Sequence, residues 1–225
     1  MSSTRLPGKV LCEINGMPMI YWQIQRIAES KLVDKIIVAT SDDPSDDVLV
    51  KYMELINQEY FRGSLNNVLE RFVEVEKLYN PSVVVRLTAD CPLIMPEIID
   101  KCINRFTIEE VDYVSNILSL TFPDGLDVEV IRAGVLTKLS SLDLSDEEKE
   151  HVTLGILHRK NIFTTLNICN DNNLSYYRWT VDSQTDLDFV KLVFKHFQTR
   201  EFTFNMEDML NFVGSYPKLN NIRTR

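Results

Sequence analysis

Short β-branched runs alternate with segments of helical periodicity along this chain, and that alternation restricts its fold more than any other feature. Ile36-Ile37-Val38 and Val83-Val84-Val85 are continuous apolar runs with polar flanks, which suits strands covered on both faces. Elsewhere apolar residues return at helical spacing, as at Met19, Ile20, Ile24 and Ile27. The pattern predicts an α/β chain, a mainly parallel sheet with helices on both faces. Strands are expected over residues 35–40, 83–86, 112–115, 126–131, 163–168 and 177–181, with a short one at Tyr60-Phe61-Arg62. Helices are expected over residues 45–58 and 66–79, from Met95-Pro96, where proline suits a first turn, and from Met206 onward. With 225 residues, 44% of them hydrophobic, and neither repeat nor linker, residues 1–225 read as a single domain with a full core.

Charge and cysteine usage exclude several functions. A net charge of -9 and a pI near 4.9 argue against a nucleic-acid partner bound through a broad basic face. Cys12, Cys91, Cys102 and Cys169 have no C-x-x-C spacing and read as reduced thiols. His151, His158 and His196 are too scattered for a zinc site. The apolar runs are far too short to span a bilayer. A cytoplasmic protein without membrane insertion is expected, and a homodimer is left open.

In α/β sheets ligands gather beyond the carboxyl ends of the strands. Four stretches fall there: "TSDDPSDD", "FRGSLNNVLERF", "TADCPL" and "TVDSQTDL". Asp90 and Asp182 each follow a strand among small or hydroxyl neighbours, and two such carboxylates can share a hard divalent cation that also grips phosphate oxygens. The rival readings are a turn residue for Asp90 and, for Asp182 or Ser183, the N-cap of the following helix. The opening "SSTRLPGK" combines hydroxyls, a glycine, Arg5 and Lys9, as a polyphosphate loop requires. "GLDVEV" sets Asp127 and Glu129 on one strand face and Val128 and Val130 on the other.

Taken in order, "SSTRLPGKVL", "VATSDDPSDD", "FRGS", "RLTADCPLI", "DYVSN", "PDGLDVEV", "EHVT" and "TVDSQTDLDFV" resemble the cytidylyltransferases of the spore-coat polysaccharide biosynthesis F type. These are similar in turn to the enzymes that make CMP-activated acidic sugars. The likeness spans roughly residues 1–197 and implies a Rossmann-like nucleotidyltransferase sheet. It also implies transfer of CMP from CTP to a sugar acid or related polyol, with release of pyrophosphate. By that resemblance Ser2, Ser3, Arg5 and Lys9 would hold the triphosphate, Arg5, Lys9 and Asp90 would be catalytic, and Asp90 and Asp182 would hold Mg²⁺. Ser64, Asn67 and Arg71 would face the nucleobase, although Arg71 also suits a pair with Glu74 on its own helix. Asn116, Asp127, Glu129 and His151 would serve the acceptor, with His151 equally readable as the start of a helix.

The chain departs from the family pattern at Ala89, Asn66, Asn67, Lys149 and Ser183-Gln184-Thr185. Two alternatives therefore stand beside cytidylyl transfer: a metal-dependent glycosyltransferase using Asp127-Val128-Glu129, and an inactive relative serving as a binding subunit. The resemblance also implies an apolar strand ahead of Met1. On that reading the 225-residue chain is expected to be poorly soluble or inactive, with a slot beside the Ile36 and Val83 strands.

Overall fold

Side chains of β5 (Val83–Arg86) alternate between two cores. Val83 and Val85 pack against one apolar cluster and Val84 against another, and the alternation is repeated by Val114 and Tyr113 of β6 (Tyr113–Ser115) and by Val130 and Ile131 of β7 (Glu129–Arg132). Successive strand residues point to opposite faces, so this sheet separates the two cores and is covered on both sides. The computed structural model describes residues 5–200 and 202–216; Ser2 and Ser3 lie outside them.

Before β5 the chain runs through β1 (Glu13–Ile14), β2 (Met17–Pro18), α1 (Met19–Ala28), β3 (Val38–Ser41), α2 (Asp47–Leu55), β4 (Tyr60–Gly63) and α3 (Val68–Tyr79). Between β5 and β6 comes α4 (Pro96–Ile108). After β7 follow α5 (Val135–Ser140), α6 (Asp146–Glu150), α7 (Leu154–His158), β8 (Thr165–Asn167), α8 (Gln184–His196) and α9 (Met206–Ser215). The larger core lies between the sheet and α1, α4, α8 and α9; the second lies under α3, α5 and α7.

Sheet order is β5-β7-β6-β8, and β3 pairs in parallel with β4 as a separate ladder. β5, β6 and β8 run in one direction, as a mainly parallel sheet requires, and β7 alone is reversed, antiparallel to both β5 and β6. Among the described residues β3 pairs with β4 alone and β5 with β7 alone, so each keeps one edge outside any ladder.

Helix boundaries follow local chemistry. The helix expected over residues 45–58 opens as a 3-10 turn, Pro44–Asp46, and stops before Asn57, which is left-handed at φ 54°. α3 begins after Asn67, whose side-chain oxygen accepts from the Glu70 amide at 3.0 Å, and ends at left-handed Asn80. α4 begins at Pro96 and α9 at Met206, as expected. Among the described residues, 177–181 do not form a laddered strand; Asp124 and Arg178 are joined there by a parallel bridge. Gly125 explains the close approach: a Cβ on it would lie 2.6 Å from the Thr180 amide nitrogen.

Candidate active site

The carboxyl ends of β5, β6 and β8 point the same way as the amino end of β7, since the ladders fix their directions. The loops at these ends carry the acids singled out in the sequence. Beyond β5, the carbonyl oxygen of Asp90 accepts from the Val181 amide at 2.8 Å and from the Thr180 hydroxyl at 3.2 Å. Two loops ninety residues apart are thereby fixed together, and Asp90 and Asp182 come to face one point.

That point is occupied by Lys9. Its Nζ lies 3.1 Å from Asp90 Oδ2, 3.0 Å from Asp182 Oδ1 and 2.8 Å from the Val181 carbonyl oxygen. An ammonium has three N–H donors, and here all three are used. Gly8, left-handed at φ 70°, sets Lys9 at the head of a short 3-10 turn, Lys9–Leu11. The opening loop therefore reaches the two carboxylates. Arg5 adds an ion pair to Asp182 Oδ2 at 3.0 Å from an exposed position.

Burial alone would raise the pKa of Asp90, but a hydrogen bond from Thr88 and the charge of Lys9 outweigh it and hold the carboxyl below its ordinary range. Cys91 lies directly beneath, its Sγ 3.4 Å from Asp90 Oδ1. Burial first, then the charges of Asp90 and Asp127, push this thiol well up, so it acts as a neutral donor. Asp127 thus belongs to the same cluster. It is held there by Asn116, whose amide donates to Leu126 O at 2.7 Å and accepts from Val128 N at 2.8 Å. Asn116 is a positioning residue for Asp127.

Asp182 does not cap α8. Ser183 does, with Asp186 completing a capping box, which leaves the Asp182 carboxylate to its cations. Sequence reasoning passed over the frame around it: Arg178 pairs with Asp182, with Asp186 at 2.8 Å and with Asp124 at 3.6 Å. Ser183-x-x-Asp186 was a readable signal for the cap, but nothing in the sequence marks Arg178.

Glu129 opens β7. It is buried, and it accepts from Tyr113 Oη at 2.7 Å, from Thr153 Oγ1 at 2.5 Å and from Arg86. Its carboxylate is spent on tying β5, β6 and the start of α7 together. His151 ends α6 rather than beginning a helix. The next residue, buried Val152, has φ 50°, a strained backbone for a β-branched side chain, held by burial and by the Thr153 bond to Glu129.

Ser64, Asn67 and Arg71 gather in the loop after β4, and their side chains hold that loop. Arg71 donates to Ser64 O at 2.5 Å and to Leu65 O and Ala39 O at 3.4 Å; Ser64 Oγ accepts from the Asn67 amide at 3.1 Å. Burial lowers the Arg71 pKa. The loop borders an open cavity of about 590 Å³ lined by Asp42, Phe61, Arg62, Ser64, Asn66, Glu70 and Glu74, among others. Arg62 clasps Ser41 O and Asp43 O at 3.0 and 3.1 Å, a role that was not legible in the sequence. Asn67, which stands where an acid is usual in the resembled family, still supplies the capping oxygen that an aspartate would.

The donor set fits a hard divalent cation: two carboxylates and a carbonyl converge on a point that already attracts a cation. No group of three or more His, Cys, Asp or Glu side chains is placed to hold a metal among the described residues, so this point has two carboxylates and a carbonyl as its protein ligands. No helix there is long and apolar enough to cross a membrane.

Known proteins resemble this chain over most of its length. A family profile described as cytidylyltransferase matches residues 1–212. The spore coat polysaccharide biosynthesis protein SpsF of Bacillus subtilis is 33% identical over 202 residues, covering 87% of this chain and 83% of its own. A 3-deoxy-manno-octulosonate cytidylyltransferase of Geobacter sulfurreducens is 32% identical over 105 residues, covering 45% of this chain and 40% of its own. Among solved structures, a cytidylyltransferase from Leptospira borgpetersenii superposes with a TM-score of 0.93 at 28% identity, covering 100% of this chain and 94% of that one.

Proposed function

Because this chain belongs to the cytidylyltransferase family, we propose that it transfers CMP from CTP to a sugar acid or related polyol at the Asp90–Asp182 site. The reading places this Mg²⁺-dependent step in surface-polysaccharide synthesis, in the cytoplasm, where CTP is made. The single observation that carries it is the convergence of Asp90, Asp182 and Lys9 on one point at the carboxyl edge of the strands.

In this reaction an acceptor hydroxyl oxygen forms a bond to the α-phosphorus, the bond from that phosphorus to the β-phosphate bridging oxygen breaks, and pyrophosphate carries away the electron pair. Most of the catalysis in such displacements is positioning and charge neutralisation. Lys9 and Arg5 are the fixed positive charges available to the triphosphate. Asp90 and Asp182 would hold Mg²⁺, which when bound neutralises phosphate oxygens and orients them. Thr88 and Cys91 keep Asp90 oriented and ionised, and Arg178 holds the Asp182 carboxylate in place. Arg71 keeps the Ser64-Leu65 turn in shape beside the cavity where the nucleobase fits. Asn116 keeps Asp127 facing the acceptor side.

The glycosyltransferase alternative needs both acids of Asp127-Val128-Glu129 free for a metal, and the Glu129 carboxylate is already engaged by three partners. The test is pyrophosphate release with Mg²⁺ and each of CTP, UTP, ATP and UDP-sugars, against a panel of sugar acids and polyol phosphates. Release with CTP alone is expected. Equal thermal stabilisation by every nucleotide and no release with any acceptor would leave a binding subunit in place of the enzyme.

A further inference from the structure

Lys9 occupies the one point at which Asp90, Asp182 and the Val181 carbonyl converge, with all of its acceptors within 3.1 Å. A divalent cation and this ammonium cannot share that point: Mg²⁺ needs oxygens at about 2.0–2.1 Å, and two cations in one oxygen cage repel strongly. We propose that Lys9 exchanges partners in the catalytic cycle, filling the divalent-cation seat in the nucleotide-free protein and moving onto the triphosphate when it arrives. Cation uptake is thereby conditional on nucleotide. The inference rests on the nucleotidyl-transfer reading above and adds an order of events to it.

Three features of the site make the exchange workable. The backbone of Lys9 is anchored, its amide donating to Leu6 O at 3.2 Å and its carbonyl accepting from Cys12 N at 3.0 Å. Its flexible stem can therefore swing while its Cα stays in place, and an ammonium trades one oxygen ligand for another without a fixed fork geometry to satisfy. Second, Asp182 is crowded with cations: Arg5, Lys9 and Arg178 all bind it. Arg178 is also held by Asp186 and Asp124, so it stays with Arg5 on Asp182 Oδ2 when Lys9 leaves, and the oxygen released is Oδ1. Third, Lys9 is the only cation that touches both carboxylates among the described contacts. Its departure frees both ligands at once.

Linkage requires the effect to be reciprocal: if nucleotide promotes cation binding, cation promotes nucleotide binding by the same factor. The decisive measurement omits nucleotide. Mn²⁺ is titrated into the wild-type protein and into Lys9→Met, with affinity read by calorimetry and melting temperature read in parallel. Wild type is expected to bind Mn²⁺ weakly and to melt at the same temperature with or without it. Lys9→Met is expected to melt lower without cation, to bind Mn²⁺ at least about 10-fold more tightly than wild type, and to recover its melting temperature with it. Adding Asp90→Asn to Lys9→Met abolishes that tight binding. Should Lys9→Met not fold, Lys9→Gln serves the same comparison. A folded Lys9 variant that binds Mn²⁺ no better than wild type overturns the exchange. CTP-dependent pyrophosphate release by wild type tests the functional reading separately, so the two can fail independently.

Discussion

The backbone amide of Val181 donates to the carbonyl oxygen of Asp90 at 2.8 Å. This bond lets two carboxylates from loops far apart in the sequence act as one site, because it fixes their separation through backbone rather than through side chains. Losing either carboxylate then removes half of the charge the site can offer a cation. Asp90→Asn and Asp182→Asn are each expected to slow pyrophosphate release by on the order of 100-fold or more, about 2.7 kcal/mol in the barrier. Since Ser183 and not Asp182 caps α8, Asp182→Asn should melt close to wild type. Near-normal turnover in that folded variant would transfer the role to a different acid.

Ser183→Ala removes the cap itself. The expected cost is about 1 kcal/mol, or about 2–4 °C in melting temperature for a chain of this size. Asp186 keeps its bonds to the Asp182 and Ser183 amides, so the loop survives and turnover should fall far less than with Asp182→Asn. A loss of activity equal to that of Asp182→Asn would show that the cap, not the carboxylate, was what mattered.

Gly125→Ala should be among the most damaging single-methyl changes. The new Cβ would meet the backbone at Thr180 N, 2.6 Å away, and at Trp179 C, 2.8 Å away, from a residue at φ 102°. Backbone cannot move aside as a side-chain tip can, and the segment pushed is the one that leads into Asp182. A destabilisation of at least about 2 kcal/mol is expected, with loss of turnover. Gly134→Ala is the control: it is also left-handed but has nothing within 4 Å, so it should cost about 1–2 kcal/mol and leave the site intact. Equal effects from the two would refute the packing argument.

Arg71→Met is expected to raise the KM for CTP by at least about 10-fold, with a smaller effect on kcat. The guanidinium fork binds two loop carbonyls and the Ala39 carbonyl of β3 at once, and a buried carbonyl left without a donor costs about 1–3 kcal/mol. Arg71→Lys should rescue little, because an ammonium lacks the planar fork. An unchanged KM in a folded Arg71→Met protein would detach this loop from nucleotide binding.

Acid should weaken the site in a defined window. Burial works against the charge of Asp186, but Arg178 and the amides of Asp182 and Ser183 outweigh it, so its pKa is lowered in the folded state. A carboxyl with a depressed folded pKa stabilises fully above its unfolded value, about 3.9, and that contribution disappears as pH falls through the folded value. The stability gap between wild type and Asp186→Asn in urea should therefore be widest near pH 7 and close below about pH 4. A gap that is the same at pH 7 and pH 3 would mean that the Asp186 charge is not what stabilises.

Much was legible in the sequence because it is written locally. The runs at residues 36–38 and 83–85, the Met95-Pro96 and Met206 helix starts, and Asp90, Asp182, Arg5 and Lys9 as the charged centre all follow from residue type and spacing. Propensity, capping and apolar period act within a few residues, so a linear reading reaches them. What the tertiary structure alone decided is where long side chains end. It set Arg178 on three aspartates, buried Glu129 under Thr153 and Tyr113, turned Arg71 inward to its own loop, and seated Lys9 between the carboxylates. It also reversed β7 and, among the described residues, left 177–181 outside any ladder. Partners of these groups lie up to 173 residues away, and which of several nearby acids an arginine or lysine takes depends on burial and backbone placement, which no local pattern encodes.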